Sequence, residues 1–203
     1  MLDAIRQWET EQRESADIAA TVKRVRSNPV LYQQFPKVQL AVAWLAKFLV
    51  DALRYPLLIA FGQSGTWKTE WAKSLFNNPK ELKIGSLTYF PDGMREFCRG
   101  VHDGLVLDDV RDLKFLADNQ DRLQGKYDTA VEFASTPGGT CAHKKYLYAI
   151  PTVVTVNHST KNLAFLESHD WLGKPLNRVI VTSPLVATPA DADANAAGGG
   201  TWL

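Results

Sequence analysis

Gly62-Gln63-Ser64-Gly65-Thr66-Trp67-Lys68-Thr69 is the stretch on which the reading of the fold turns. An apolar run, Leu57-Leu58-Ile59-Ala60-Phe61, precedes it, and a helix-like segment, Thr69-Glu70-Trp71-Ala72-Lys73-Ser74-Leu75-Phe76, follows. Strand, glycine-bearing turn, Lys-Thr and helix is the context of a phosphate-binding loop. In such a loop the backbone N–H groups and the helix N-terminus point at phosphate oxygens. Lys68 would reach the β- and γ-phosphates, and the Thr69 hydroxyl would ligate Mg²⁺. The pattern G-x-x-x-x-G-K-[ST] asks for glycine where this chain has Trp67, and Gly65 stands two residues earlier. The competing reading is an ordinary strand-turn-helix connection that happens to carry Lys-Thr.

Bulk properties bound the rest. A chain of 203 residues buries one substantial core and leaves room for a small helical appendage. Hydrophobic residues at 45% and charged residues at 22% describe an ordinary globular protein. The formal net charge of +1 gives no electrostatic argument for nucleic acid binding. Cys98 and Cys141 show neither C-x-x-C nor metal-ligand spacing and read as buried thiols in a reducing compartment. The N-terminus carries acids and lacks an apolar signal-peptide core, and no apolar run reaches the length of a membrane span. Nucleus or cytoplasm is the expected location.

Residues 1–26 read as a charged helix, with Leu2, Ile5 and Trp8, then Ile18, Val22 and Val25, at helical spacing, and with a basic cluster, Lys23, Arg24 and Arg26, at its end. Asn28-Pro29 interrupts it. A second helix follows Pro36, with an apolar stripe of Val38, Val42, Leu45, Phe48, Leu49 and Ala52 and with Trp44 beside it. After the loop and its helix, Leu82-Lys83-Ile84-Gly85 reads as a short strand and Met94-Arg95-Glu96-Phe97-Cys98 as helical.

Gly104-Leu105-Val106-Leu107-Asp108-Asp109 is the second informative stretch. An apolar strand of parallel-sheet type ends in two adjacent carboxylates. Packing does not explain them, because each costs desolvation unless a cation faces it. A Mg²⁺-nucleotide at the C-terminal edge of the sheet would supply that charge. Asp108 would then hold Mg²⁺ through water, and Asp109 would orient or deprotonate the attacking water. The alternative is a pair of acids capping the next helix, Asp112-Leu113-Lys114-Phe115-Leu116.

In residues 124–150, Ala130-Val131-Glu132-Phe133 and Lys145-Tyr146-Leu147-Tyr148 flank Thr136-Pro137-Gly138-Gly139-Thr140, which reads as a hairpin. Lys126, Lys144 and Lys145, with Tyr127 and Tyr146, offer charge and stacking surface to a single strand, or serve as routine surface residues. The β-branched strand Pro151-Thr152-Val153-Val154-Thr155-Val156-Asn157 ends in an amide able to position water or to cap the helix over 160–167. Neither His158 nor His169 forms a hydrolase or nuclease motif. Asn177-Arg178-Val179-Ile180-Val181-Thr182 reads as a last strand, with Arg178 as a γ-phosphate sensor, a finger toward a neighbouring subunit, or a salt-bridged surface residue. The Ala/Gly/Asp-rich residues 186–203 read as a disordered tail.

The order of these features resembles the superfamily 3 helicase domain of replication initiator (Rep) proteins from single-stranded circular DNA viruses, of the geminivirus and circovirus type. It covers residues 36–184 and rests on the Lys-Thr loop, Leu-Asp-Asp-Val, Ile-Pro-Thr-Val-Val-Thr-Val-Asn and Asn-Arg-Val-Ile-Val-Thr in that order. The resemblance implies an α/β fold, a P-loop NTPase (AAA+-like) parallel sheet flanked by helices, with a small N-terminal helical segment. It implies a helical oligomerisation-type region over 1–53, an ATPase/helicase domain over 54–185, ATP and Mg²⁺ as cofactors, single-stranded DNA as partner, and a homo-oligomeric ring, in that family usually a hexamer. Carried over residue by residue, it makes Gly62, Lys68 and Thr69 the Walker A residues within the 62–69 loop. Asp108 and Asp109 become the Walker B pair, Asn157 the sensor asparagine, and Arg178 the arginine finger. It places Lys126, Lys144 or Lys145 on the DNA-contacting hairpin.

Two departures stand out. Trp67 replaces the Walker A glycine, and the metal-binding histidines and tyrosine motif of the viral endonuclease domain are absent from this sequence. They keep a second reading open, a degenerate P-loop protein that binds DNA or partners without turning ATP over. A third, a small nucleotide kinase, lacks a visible arginine-rich acceptor lid. A transfer assay with nucleoside monophosphates that yielded diphosphates would revive it.

Overall fold

The computed structural model describes Ile5, Arg13, Glu14, Asp17, Ala20, Thr21, residues 23–25, Ser27, and residues 35–85, 90–134 and 142–182. The chain divides into two compact units, Met1–Phe35 and Pro36–Leu203. In the first, the described residues are helical up to Val25, and Ile5 and Val25 are exposed. The other members of its expected stripe, and Arg26, lie outside the described residues, as does the expected tail. No described helix is long and apolar enough to cross a membrane.

Five strands make one parallel sheet in the second unit: β1 (Leu57–Gly62), β2 (Pro79–Lys83), β3 (Gly104–Val110), β6 (Thr152–Asn157) and β7 (Arg178–Thr182), in the order β2-β3-β6-β1-β7. The apolar runs of β1, β3 and β6 occupy its middle, where both faces are covered, so they need no polar alternation. Leu57, Ile59 and Phe61 point to one face and join Leu107, Val154, Met94, Leu113 and Leu166 in a single core. Leu58 and Ala60 are equally buried on the other face. Helix α2 (Lys68–Ser74), with Trp71 and Ala72 fully buried, packs on β1, β3 and β6.

Topology explains this division. The crossover from β1 to β2 runs one way along the sheet, and those from β2 to β3, β3 to β6 and β6 to β7 run the other. Right-handed connections therefore put α2 on one face and the later helices on the opposite one. These later helices are α3 (Phe90–Arg95), α4 (Lys114–Asp118), α5 (Gln120–Leu123) and α6 (Thr160–Ser168). Between β1 and β6 the connections leave the C-terminal edge in opposite directions, which opens a crevice there.

Several elements differ from expectation. Helix α1 (Gln39–Ala46) buries Ala41 and Trp44, whereas Val42 and Leu49 are 48% and 88% exposed. The larger indole wins the buried face because its N–H also reaches Pro56 O at 2.7 Å. Leu40, Val50 and Leu53 are exposed as well. Helix α3 starts four residues before Met94 and tolerates Pro91 in its first turn. The strand expected at Leu82 begins at Pro79. The two strands of the expected hairpin pair antiparallel as β4 (Val131–Phe133) and β5 (His143–Lys145), the second earlier than expected, and the expected turn at Thr136-Pro137-Gly138-Gly139-Thr140 lies outside the described residues. Cys98 is exposed, not buried, and Cys141 lies outside the described residues.

Trp44→Phe keeps the ring but leaves buried Pro56 O without its donor, a loss of about 1–3 kcal/mol. Urea unfolding is expected to show the lower midpoint, and an unchanged midpoint would remove this bond from the account.

Candidate phosphate-binding cleft

β1 ends at Gly62, and Gln63–Trp67 turn the chain into α2, whose first residues are Lys68 and Thr69. The Thr66 hydroxyl closes the turn on Gln63 O at 2.8 Å. Gly65 has φ 81°, and Trp67 has φ 58° and ψ 22°. Trp67 thus takes the left-handed conformation that glycine enters freely and other residues enter at a cost of about 1–2 kcal/mol. Its indole is 60% exposed at the rim, so most of it faces solvent instead of filling the loop.

Lys68 is buried, and its ammonium donates to Gln63 O at 2.5 Å, Asn157 Oδ1 at 3.1 Å and Thr66 Oγ1 at 3.4 Å. The strand register explains the reach across. Asn157 ends β6 directly beside Gly62, and His158 N–H donates to Gly62 O at 2.9 Å. Burial lowers the Lys68 pKa from its ordinary value, and the charges of Asp108 and Asp109 oppose that shift.

The carboxylates sit on the other wall. Asp108 Oδ1 accepts from Thr69 Oγ1 at 2.5 Å and from Thr155 Oγ1 at 2.7 Å. Thr155 Oγ1 in turn accepts the Asp109 N–H at 3.0 Å. Asp109 Oδ1 accepts from Asn157 Nδ2 at 3.2 Å, and Asp109 Oδ2 from Arg111 Nε at 3.3 Å. Adjacent strand residues ordinarily point to opposite faces. Here the β3–β6 register shifts between Leu107 and Val110, and Asp109 has φ 52°. A bulge of this kind re-aims side chains, and both acids reach the one cleft. Gly85 backs Asp109 so closely that a Cβ there would lie 2.1 Å from Asp109 Oδ2.

The result is a cleft of about 440 Å³ lined by Ser64–Glu70 on one side and Asp108, Asp109, Thr155 and Asn157 on the other. That volume suits a small-molecule ligand. Among the described residues no group of three or more His, Cys, Asp or Glu side chains could hold a metal. Mg²⁺ does not need one, since it commonly takes one or two protein oxygens and completes its shell with water and phosphate. The Thr69 hydroxyl and Asp108 carboxylate, already sharing an oxygen-to-oxygen contact, fit that donor set.

Loop 62–69, Asp108, Asp109 and Asn157 are therefore brought together, and the other nominated residues are not. Arg178 pairs with Leu57 at the start of β1, so it lies at the opposite edge of the sheet, roughly 16 Å away at 3.3 Å per strand residue. Its Nε is buried without a partner among the described residues, and burial lowers its pKa while Glu167 opposes this. Lys145 donates to Arg95 O at 2.7 Å and Phe97 O at 2.6 Å, which ties its ammonium to the end of α3. Lys144 is exposed opposite Glu132, and Lys126 is exposed in the segment after α5. Sequence reasoning missed Thr155, Gly85 and Arg111. The Asp-Asp-Val-Arg run held a signal for Arg111 only.

No model of a known protein family matches this chain, and no curated protein is similar to it at a significant level.

Proposed function

We propose that this chain is a P-loop ATPase of the AAA+-like, superfamily 3 helicase type, hydrolysing ATP between the subunits of a ring and moving on single-stranded DNA. The observation that carries the reading is one cleft in which Thr69 bonds Asp108 and Lys68 bonds Asn157. Neither bond is needed to hold an ordinary strand-turn-helix connection. Together they bring a cation, a hydroxyl-carboxylate pair and an amide to where a triphosphate and its metal would lie.

On this reading each side chain has a stated task. Lys68 gives up its bonds to Gln63 O and Asn157 Oδ1 and turns to phosphate oxygens, where transition-state charge develops. Thr69 and Asp108 hold Mg²⁺, whose contribution is to neutralise charge on the phosphates. Asp109 accepts the proton of the attacking water, and Asn157 Nδ2 holds the Asp109 carboxylate in place. Arg178, at the far edge of its own sheet, serves only a neighbouring subunit's nucleotide. The exposed Leu40, Val42, Leu49, Val50 and Leu53 support a self-association surface for the ring.

The test is ATP hydrolysis with Mg²⁺, with and without single-stranded DNA, on a sample whose mass is measured in solution. Turnover that DNA stimulates in an oligomeric sample is expected. An oligomer that binds ATP and does not turn it over would leave the second reading, a degenerate P-loop binding protein.

Trp67 is the observation that favours that rival. Its indole faces solvent, so Trp67→Gly is expected to change nucleotide affinity less than threefold or so, while relief of the left-handed strain stabilises the fold by about 1 kcal/mol. A large gain in affinity by calorimetry would show instead that the indole obstructs the cradle.

A further inference from the structure

Away from the cleft, exposed rings and cations from four stretches of chain meet on one surface. The Arg99 guanidinium lies 4.9 Å from the centroid of the Tyr146 ring, and Arg99 itself is exposed. Its Nη1 donates to Tyr148 O, and Tyr146 Oη donates to Tyr127 O at 2.5 Å. The Tyr148 ring stands 6.2 Å from that of Tyr146 and 6.4 Å from that of Tyr127. Tyr127 is 58% exposed. It also walls a second cleft of about 270 Å³ beside Arg54, Lys126, Gln124, Asp121 and Asp128. Gln124 Nε2 is buried there with no acceptor among the described residues.

The Tyr146 hydroxyl bond and the Arg99 bond to Tyr148 O hold the Tyr146 ring and the guanidinium in place, so these two groups lose little conformational entropy on stacking. Arg54 and Lys126 form no ion pair with a described residue. A flat exposed ring, a guanidinium plane and free cations within one surface suit a chain that alternates planar bases with phosphates. Asp121 and Asp128 nearly balance the cations of the second cleft, so stacking must supply most of the binding.

We propose that Arg99, Tyr127 and Tyr146, with Arg54 and Lys126 beside them, form a docking ledge for single-stranded nucleic acid. One base stacks on Tyr127, with its flanking phosphates toward Arg54 and Lys126. A neighbouring base stacks on the guanidinium that covers Tyr146. The ledge takes its partner class from the function proposed above; of the three expected lysines it keeps Lys126, and it moves the contact from Lys144 and Lys145, the second of which is tied up, to the base of the hairpin.

The test is fluorescence anisotropy with a labelled oligothymidylate of about twelve nucleotides, without nucleotide, so that failure of the ATPase reading leaves the result untouched. Tyr127→Ala is expected to weaken binding roughly tenfold, and Arg99→Gln by a similar factor, from one lost stacking contact each. Tyr127→Phe keeps the ring and is expected to bind like the unmodified protein. An abasic oligomer of the same length is expected to bind at least about tenfold more weakly. Equal affinity for the abasic oligomer would show that charge alone is read, and would overturn the ledge. So would unchanged binding by Tyr127→Ala, a Tyr127→Phe protein as weak as Tyr127→Ala, or no binding of the oligothymidylate at all.

Discussion

Lys68→Ala is expected to lower Mg²⁺-dependent ATP turnover by at least about a hundredfold, the scale of losing one preorganised transition-state donor. The effect should fall on chemistry more than on folding. Lys68 is buried, and desolvation already lowers its pKa, so its charge is held in the cleft at a cost to the fold. Removing it relieves that cost. It also leaves Asn157 Oδ1 without its donor, Gln63 O with the Thr66 hydroxyl alone, and Asp108 and Asp109 without their nearest buried cation. The opposing terms predict a melting temperature within a few degrees of the unmodified protein. Turnover measured beside a thermal melt checks both halves. Retained turnover would mean that the phosphates lie elsewhere.

Gly85→Ala is the second large effect, at a residue that touches no ligand in this account. Its new methyl would lie 2.6 Å from Asp109 O and closer still to the Asp109 carboxylate. The backbone oxygen cannot swing away as a side-chain tip can. Ile84 N–H also donates to Asp108 O at 2.8 Å, so the turn after β2 is tied to the strand that it would push. Overpacking of this kind costs about 1–3 kcal/mol. The displaced carboxylate loses Asn157 and Arg111, and turnover should fall by about a hundredfold as general-base geometry is lost. Nucleotide affinity should fall far less, because Lys68 and Thr69 stand on the other wall. A split between kcat and Kd is the signature. Parallel losses in both would mean that the whole cleft has collapsed.

The fold is legible in the sequence where local pattern and chemistry coincide. Leu57–Phe61 is too continuously apolar for an exposed strand, and the Gly62–Thr69 turn allows little besides a tight passage into α2. Asp108 and Asn157 were visible because each ends a β-branched or aliphatic run in a polar side chain. Thr155 was invisible for the converse reason. Inside a strand, threonine looks like any β-branched residue, and only the pairing of β6 with β3 brings its hydroxyl to Asp108. Gly85 and Arg111 matter through a bulge that no periodicity announces. Val42 in α1, and Leu49 beyond its end, are exposed because one indole outweighs a tidy stripe. Arg178 is excluded only as a γ-phosphate sensor within its own subunit. A residue that begins a parallel strand sits at the edge away from the C-terminal crevice.

The central claim is that this cleft binds a nucleotide together with a metal. Calorimetric titration of ATP with Mg²⁺, set beside Asp108→Asn and beside ATP with the metal chelated, tests it most directly. The account predicts saturable binding by the unmodified protein and a loss of at least about tenfold in both comparisons, since Asp108 Oδ1 accepts from the Thr69 hydroxyl at the position proposed for magnesium. Binding that is indifferent to Mg²⁺ and to Asp108, or no binding at all, would contradict it.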